Sequence, residues 1–429
     1  MKNQSNQNSP WSWVPSLYFA EGFPYVAVMM VAGIFYKRMG LSNTDIALYT
    51  GWLNLPWVIK PLWSPFVDII KTKRWWIVLM QLIIGAALAG VALTIPTHYY
   101  FQLSFAFFFL IAFSSATHDI ACDGFYMLAL PPHQQASFIG IRNTFYRVAM
   151  IFGQGALVMF AGFLEKRSSI PFSWSVLFYL SAAIFLGLFV FHYYKLPFPK
   201  ADSVSENISV KHIFSEFAQT FIQYFKKKQI ITALFFIIAY RFAEAQLTAI
   251  GKLFMLDDIQ KGGLGLDTEQ IGFLYGAVAV AFLLLGGILG GLAIASRGLK
   301  FWLWPMALAI TLPNLTYVYL SIYYPSNFWV ISTCVAVEQF GYGFGFAAFM
   351  MYLMYFSEGK YKTANYAIST GFMALGMMLP TMMAGKAQEI LGYSNFFIWV
   401  MFCCIPTFVA VALIKVDADY GKKNLVNIQ

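Results

Sequence analysis

Residues 195–229 read KLPFPKADSVSENISVKHIFSEFAQTFIQYFKKKQ, the longest polar interruption in an otherwise apolar chain. Before it lie six apolar runs, 13–36, 45–66, 75–95, 100–128, 138–163 and 174–194; after it lie six more, 230–256, 268–295, 301–322, 327–356, 364–391 and 394–414. Each holds the roughly 20 residues that a helix needs to cross a hydrocarbon layer about 30 Å thick. The expected fold is therefore an all-α polytopic membrane protein of twelve transmembrane helices. They form two six-helix bundles, 1–194 and 230–414, with a cytoplasmic linker 195–229 between them and a tail 415–429. Within the linker, Val210, Ile213, Phe214, Phe217, Phe221, Tyr224 and Phe225 recur at helical spacing, which predicts an amphipathic helix lying on the membrane surface.

Composition closes off the soluble alternatives. The chain is 59% hydrophobic and 11% charged, where soluble domains carry about 25% charged residues. The net charge of +9 would suit a nucleic-acid partner if it formed one patch. Instead, 17 Lys and Arg fall on the segments that share a side with the linker and 6 on the opposite side. This asymmetry is the positive-inside rule, and it places both termini in the cytoplasm with no nucleic acid implied. The first run is longer than a signal-peptide core and leads directly into further spans, so it is retained as a helix. The four cysteines sit in apolar runs without metal-ligand spacing, and neither a metal nor another cofactor is implied.

An ionisable group in the hydrocarbon layer costs at least about 2.5 kcal/mol on insertion scales, so each one needs a partner, a cavity or a function. They are Glu21 in the first run, Lys60 in the second, Asp119 and Asp123 in the fourth, Arg142 and Arg147 in the fifth, Arg241 and Glu244 in the seventh, and Glu338, beside Gln339, in the tenth. Asp119 and Asp123 share a helix face. Counted from the linker side, Asp123 matches Arg142 in depth and Asp119 matches Arg147, so two ion pairs are expected between the fourth and fifth helices. They would fasten the helices or latch a gate, a role that Lys60 and Asp68 also fit. Glu21, Glu244 and Glu338 lie a third to halfway along their helices. Desolvation favours the protonated form of an isolated carboxylate, so each is a candidate to carry a proton or meet a solute. Glu244 stands first of the three, because Arg241 one turn away could hold it ionised until a proton or solute breaks the pair. His118 beside Asp119 is a candidate relay, and Gly341, Gly343 and Gly345 permit bending or close helix approach near Glu338.

Several of these segments resemble the muropeptide permease (AmpG-type) branch of the major facilitator superfamily, with the acetyl-CoA transporters more distant. The carriers of the resemblance are Tyr18-Phe19-Ala20-Glu21-Gly22-Phe23-Pro24-Tyr25, Leu55-Pro56-Trp57-Val58-Ile59-Lys60-Pro61-Leu62-Trp63-Ser64-Pro65-Phe66-Val67-Asp68, Ser115-Ala116-Thr117-His118-Asp119-Ile120-Ala121-Cys122-Asp123 and Tyr146-Arg147. Tyr240-Arg241-Phe242-Ala243-Glu244, Glu338 with its glycines, and Thr363-Ala364-Asn365-Tyr366-Ala367 extend it through the second half. A weak repeat fits that plan: Asp68, Lys71, Lys73 and Arg74 after the second run correspond to Gly290, Gly291, Arg297 and Lys300 after the eighth. In the superfamily, helices 1, 4, 7 and 10 line the central path, and here these four carry the mid-membrane acids.

The resemblance implies a secondary transporter working by alternating access in a bacterial inner membrane, importing a muropeptide or amino sugar with protons as a monomer in the bilayer. Met377 stands where the family would place an arginine, and some members carry two further C-terminal helices, so the solute stays open. The alternatives are an exporter, or a carrier of an acyl-CoA-like, siderophore-like or drug-like solute. A membrane-embedded enzyme would need a clustered constellation at a membrane face, and His118-Asp119 is the sole candidate, so no catalytic residue is expected.

Overall fold

The computed structural model describes residues 9–200, 202, 218–219, 221–358 and 362–422. The described residues form helices joined by short turns. They are α1 Pro10–Arg38, α2 Asn43–Trp52, α3 Leu55–Ile69, α4 Lys73–Thr94, α5 Tyr100–Ala129, α6 Pro132–Ile151, which runs on to Glu165, and α7 Ile170–Lys195. After the linker come α8 Ile230–Leu256, α9 Thr268–Arg297, α10 Leu299–Tyr323, α11 Phe328–Ser357, α12 Lys362–Phe402 and α13 Ile405–Leu413. Among the described residues, ten stretches are long and apolar enough to cross a membrane. The expected twelve depend on reading the 49-residue run Asn365–Leu413 as two passages, turned at Gly392 (φ +71°), and α2–α3 as one broken passage.

Local chemistry sets these boundaries. Ser42, Thr72 and Ser169 accept hydrogen bonds from the first-turn N–H groups of α2, α4 and α7, and Asp267 with Gln270 forms a capping box at the start of α9. Pro24 inside α1 has no N–H to give, and just beyond it the ladder widens to a π-helical turn over Ala27–Val31. Between α2 and α3 the chain turns at Leu53–Asn54, where Asn54 Nδ2 donates to the carbonyls of Thr50 and Gly51 and Pro56 follows in the first turn of α3.

By contacts the chain divides into two units: Met1–Gly40 with Ile59–Ser215, and Leu41–Val58 with Glu216–Gln429. The core of the first joins Trp13, Leu17, Tyr18, Cys122, Phe125 and Tyr126, and in a second aromatic set Phe35 and Phe108 meet Phe178 edge-to-face while Trp174 packs against Phe35 and Phe178 at a tilt. The core of the second stacks Phe236 and Tyr240 on Phe349, with Tyr352 tilted against Phe236. There the glycines of α11 serve close packing. A Cβ at Gly343 would lie 2.1 Å from the Leu283 carbonyl of α9, and one at Gly341 2.1 Å from the Ala309 carbonyl of α10. The outer surface is apolar, with Leu93, Ile231, Ile288, Leu292, Met383 and Ile390 each more than 60% exposed, as a lipid-facing wall requires.

Of the linker's apolar stretch, Val210, Ile213, Phe214 and Phe217 lie outside the described residues. Tyr224 is fully buried against Phe356 and Phe372, and its hydroxyl bonds Ser369.

Candidate functional site

In the first unit the intramembrane charges gather around α1, α3, α5 and α6. Lys60 Nζ donates to Asp119 Oδ2 at 3.0 Å, and Arg142 pairs with Asp123 at 2.6 Å. The Arg142 guanidinium lies 4.6 Å from the centre of the Tyr18 ring, a cation–π contact that ties α6 to α1. Glu21, one turn beyond Tyr18, is buried, and its Oε2 has no hydrogen-bond partner among the described residues. It lies within electrostatic reach of Asp119, Asp123, Lys60 and Arg142. Three acids thus share two cations, and both cations are already paired with aspartates.

The pairing expected for Asp123 with Arg142 is present, whereas Asp119 takes Lys60 rather than Arg147. Depth matching ignores azimuth. Arg147 is five residues beyond Arg142, about 140° around the helix at 100° per residue, and its side chain is exposed. The side chain of Asp68 lies outside the described residues. His118 is taken up elsewhere, in a buried chain that runs from Ser16 through His192 and Gln81 to His118 and Cys122, with the three contacts from Ser16 to His118 each 2.9 Å. Gln81 accepts through Oε1 from His192 and donates through Nε2 to His118, so α1, α4, α5 and α7 are cross-linked at one node.

In the second unit, α8 is interrupted at Tyr240–Arg241, where Arg241 has φ −110° and ψ 15°. Thr407 of α13 donates to the Ala239 and Tyr240 carbonyls that the break disturbs, and Tyr240 OH donates to the Gly345 carbonyl. Interrupted backbone at membrane depth persists only when neighbours satisfy it in this way. The break sets Arg241 against α11, with Nη2 donating to Tyr342 OH at 2.5 Å and the guanidinium over Phe346 at 4.9 Å. Glu244 Oε1 accepts from Thr248 at 2.9 Å, and its Oε2 has no partner among the described residues. Glu338 Oε2 accepts from Gln339 at 2.9 Å and is within electrostatic reach of Glu244. Lys252 continues the same face of α8 and lies 4.7 Å over the Tyr275 ring, whose hydroxyl meets Tyr317 OH at 3.0 Å. The sequence reading missed Lys252. Its signal was the spacing Glu244, Thr248, Lys252, one residue per turn on one face.

Each unit thus holds one polar cluster in which buried carboxylates lie near cations, the equipment of a solute carrier. The pattern of the Major Facilitator Superfamily matches residues 16–381. The chain belongs to that superfamily. This facilitator is 22% identical over 418 residues to the anhydromuropeptide permease of Escherichia coli K12, spanning 95% of the chain and 80% of the permease. It is 25% identical over 407 residues to an uncharacterised Haemophilus influenzae protein, spanning 90% of each. Among solved structures, the nucleoside transporter NupG superposes with a TM-score of 0.69 at 14% identity, covering 96% of the facilitator and all of NupG, a likeness of fold. The family, the Escherichia coli permease and NupG are transporters, and the facilitator is a multi-pass membrane transporter rather than an enzyme.

A third polar cluster of the facilitator, at the far end of α8 in the second unit, involves α2. Asn43 Nδ2 lies 2.8 Å from Gln388 Oε1, 2.6 Å from Tyr393 OH and 3.4 Å from Asp257 Oδ2, and Thr44 donates to Glu389. Below it the backbones close up: a Cβ at Gly385 would lie 2.4 Å from the Asn43 carbonyl.

Proposed function

We propose that this facilitator couples the inward movement of protons to uptake of a cell-wall-derived polar solute, a muropeptide or amino sugar, across a bacterial inner membrane. Both termini and the linker face the cytoplasm in this reading, from the 17-to-6 distribution of Lys and Arg. The solute class rests on the anhydromuropeptide permease relative. The observation that carries the coupling is the surplus acid of the first unit. With Asp119 on Lys60 and Asp123 on Arg142, the cluster is neutral only when Glu21 holds a proton. Glu21 therefore displaces Glu244 as the first choice, since Glu244 has the Arg241 guanidinium within electrostatic reach. The Arg241–Glu244–Lys252 face of α8, with Glu338 and Gln339 on α11, is the proposed solute side.

The test uses proteoliposomes with an imposed pH gradient. Wild type should accumulate an anhydromuropeptide against its gradient. Glu21→Gln, which fixes the neutral state, should abolish accumulation while leaving solute counterflow within about threefold of wild type. Accumulation that survives in Glu21→Gln would remove Glu21 as the proton site. Uptake that ignores the pH gradient in wild type would overturn proton coupling, and transport of other solutes but no muropeptide would overturn the solute class.

A further inference from the structure

A groove of about 380 Å³ lies on the outer wall of the first unit where α4, α7 and the start of the linker meet. One face of α4 supplies Trp75, Leu79 and Leu82, α7 supplies Phe189 and Tyr193, and the linker supplies Phe198. From Trp75 to Leu82 the trough runs about 10 Å at 1.5 Å per residue, down from the linker-side end of the helix into the apolar wall. Trp75 and Tyr193 are 41% and 52% exposed, so the trough is open to whatever borders the protein at that depth.

The mouth has a different chemistry. Arg74 stacks its guanidinium 3.8 Å over the Phe198 ring, and its Nε donates to the Leu196 carbonyl at 3.2 Å and its Nη2 to the Tyr193 carbonyl. These contacts fix the planar group at the rim and use two of its five N–H donors. The acid in the groove, Asp202, is spent on the helix end, accepting from the backbone N–H of Lys73 at 2.7 Å and of Arg74 at 3.0 Å. Around it the sequence sets Lys71, Arg74, Lys195 and Lys200 against that one acid. An apolar trough beneath a held guanidinium and a cationic rim matches a ligand with an anionic head and a hydrocarbon tail whose upper half the trough would receive.

We infer that this groove is a site for one anionic phospholipid of the leaflet bordering the linker, with its phosphate at Arg74 and an acyl chain along Trp75, Leu79 and Leu82. A zwitterionic lipid offers the trough the same chain and gains nothing net from the rim, so the site discriminates by headgroup charge. Because α4, α7 and the linker each supply a wall, the bound lipid also fastens the start of the linker to the bundle.

Full-length protein in phosphatidylcholine nanodiscs, doped with lipid brominated on the acyl chain, provides the test. The Trp75 signal is the fluorescence difference between wild type and Trp75→Phe. Brominated phosphatidylglycerol should half-quench that signal at a mole fraction at least about fivefold lower than brominated phosphatidylcholine, the advantage of about one engaged cation. Arg74→Gln should remove most of that preference and leave quenching by the phosphatidylcholine unchanged. Exposed Lys200→Gln, which touches no packing, should shift it in the same direction by less. Equal quenching by the two lipids in wild type, or an unchanged preference in both variants, would overturn the site. Suppression of the quenching by millimolar inorganic phosphate would also overturn it, in favour of a free-anion site.

Discussion

At the scale of single residues, the ion pairs show what spacing along one helix does and does not reveal. That Lys60, Asp119, Asp123 and Arg142 are engaged was legible from their cost in hydrocarbon; which cation met Asp119 was not, because that depends on how α3 and α5 face each other. Removing one member should cost more than removing both, since the survivor is stranded. Asp119→Asn is expected to lower stability by about 1–3 kcal/mol, below the figure for a fully buried pair because both side chains are about a quarter exposed. Lys60→Met combined with Asp119→Leu should recover at least half of that. Thermal unfolding in detergent followed by tryptophan fluorescence decides it, and a double variant no more stable than the single would count against a direct pair. Lys252 went unread for a related reason. Near the end of a helix, a lysine is ordinarily taken to reach for the interface, and here it lies over Tyr275 instead.

Among the helices, the apolar runs gave the passages, and the interruptions were the harder part. The break in α8 has neither Pro nor Gly at Ala239–Phe242, and the hydroxyl that satisfies it belongs to Thr407, far away in sequence. Thr407→Val keeps the shape and withdraws the donor from two carbonyls, and should cost about 1–3 kcal/mol of stability; a loss below a few tenths would mean the break is held by other contacts. The break at Leu53–Asn54 had a visible marker in Pro56, overlooked because the run reads as one hydrophobic stretch. The glycines of α11 were expected either to bend the helix or to admit a neighbour, and the distances decide for the neighbour. Gly343→Ala should destabilise by about 1–3 kcal/mol, because the added methyl meets the Leu283 carbonyl. Gly291→Ala, with nothing within 4 Å of the added carbon, should leave the unfolding midpoint within about 2 °C of wild type.

For the whole molecule, the membrane character, the 195–229 interruption and the superfamily were all readable from composition and a few motifs. The assignment of each segment to a packing unit was not, because it depends on contacts between residues hundreds of positions apart. Orientation follows from charge alone and is open to a direct measurement. In a background without the four native cysteines, Lys200→Cys should resist a membrane-impermeant thiol reagent added to intact cells and react after permeabilisation. Labelling in intact cells would invert the topology.

The segment Leu41–Val58 is where the order of the sequence and the order of the contacts part company. Its neighbours in the chain on both sides belong to the first unit, yet Asn43 and Thr44 are bonded to Asp257, Gln388, Tyr393 and Glu389 of the second. This bears on how the protein could be assembled from pieces. If the gene is cut within the linker and the parts are made as separate polypeptides, the N-terminal fragment carries α2 with it and so brings a built-in plug for the C-terminal fragment. The two should co-purify through an affinity tag on either one. Asn43→Ala, which deletes the polar contacts and leaves the Gly385 approach, should weaken that recovery measurably, and an undiminished yield would show that the backbone contact alone is sufficient.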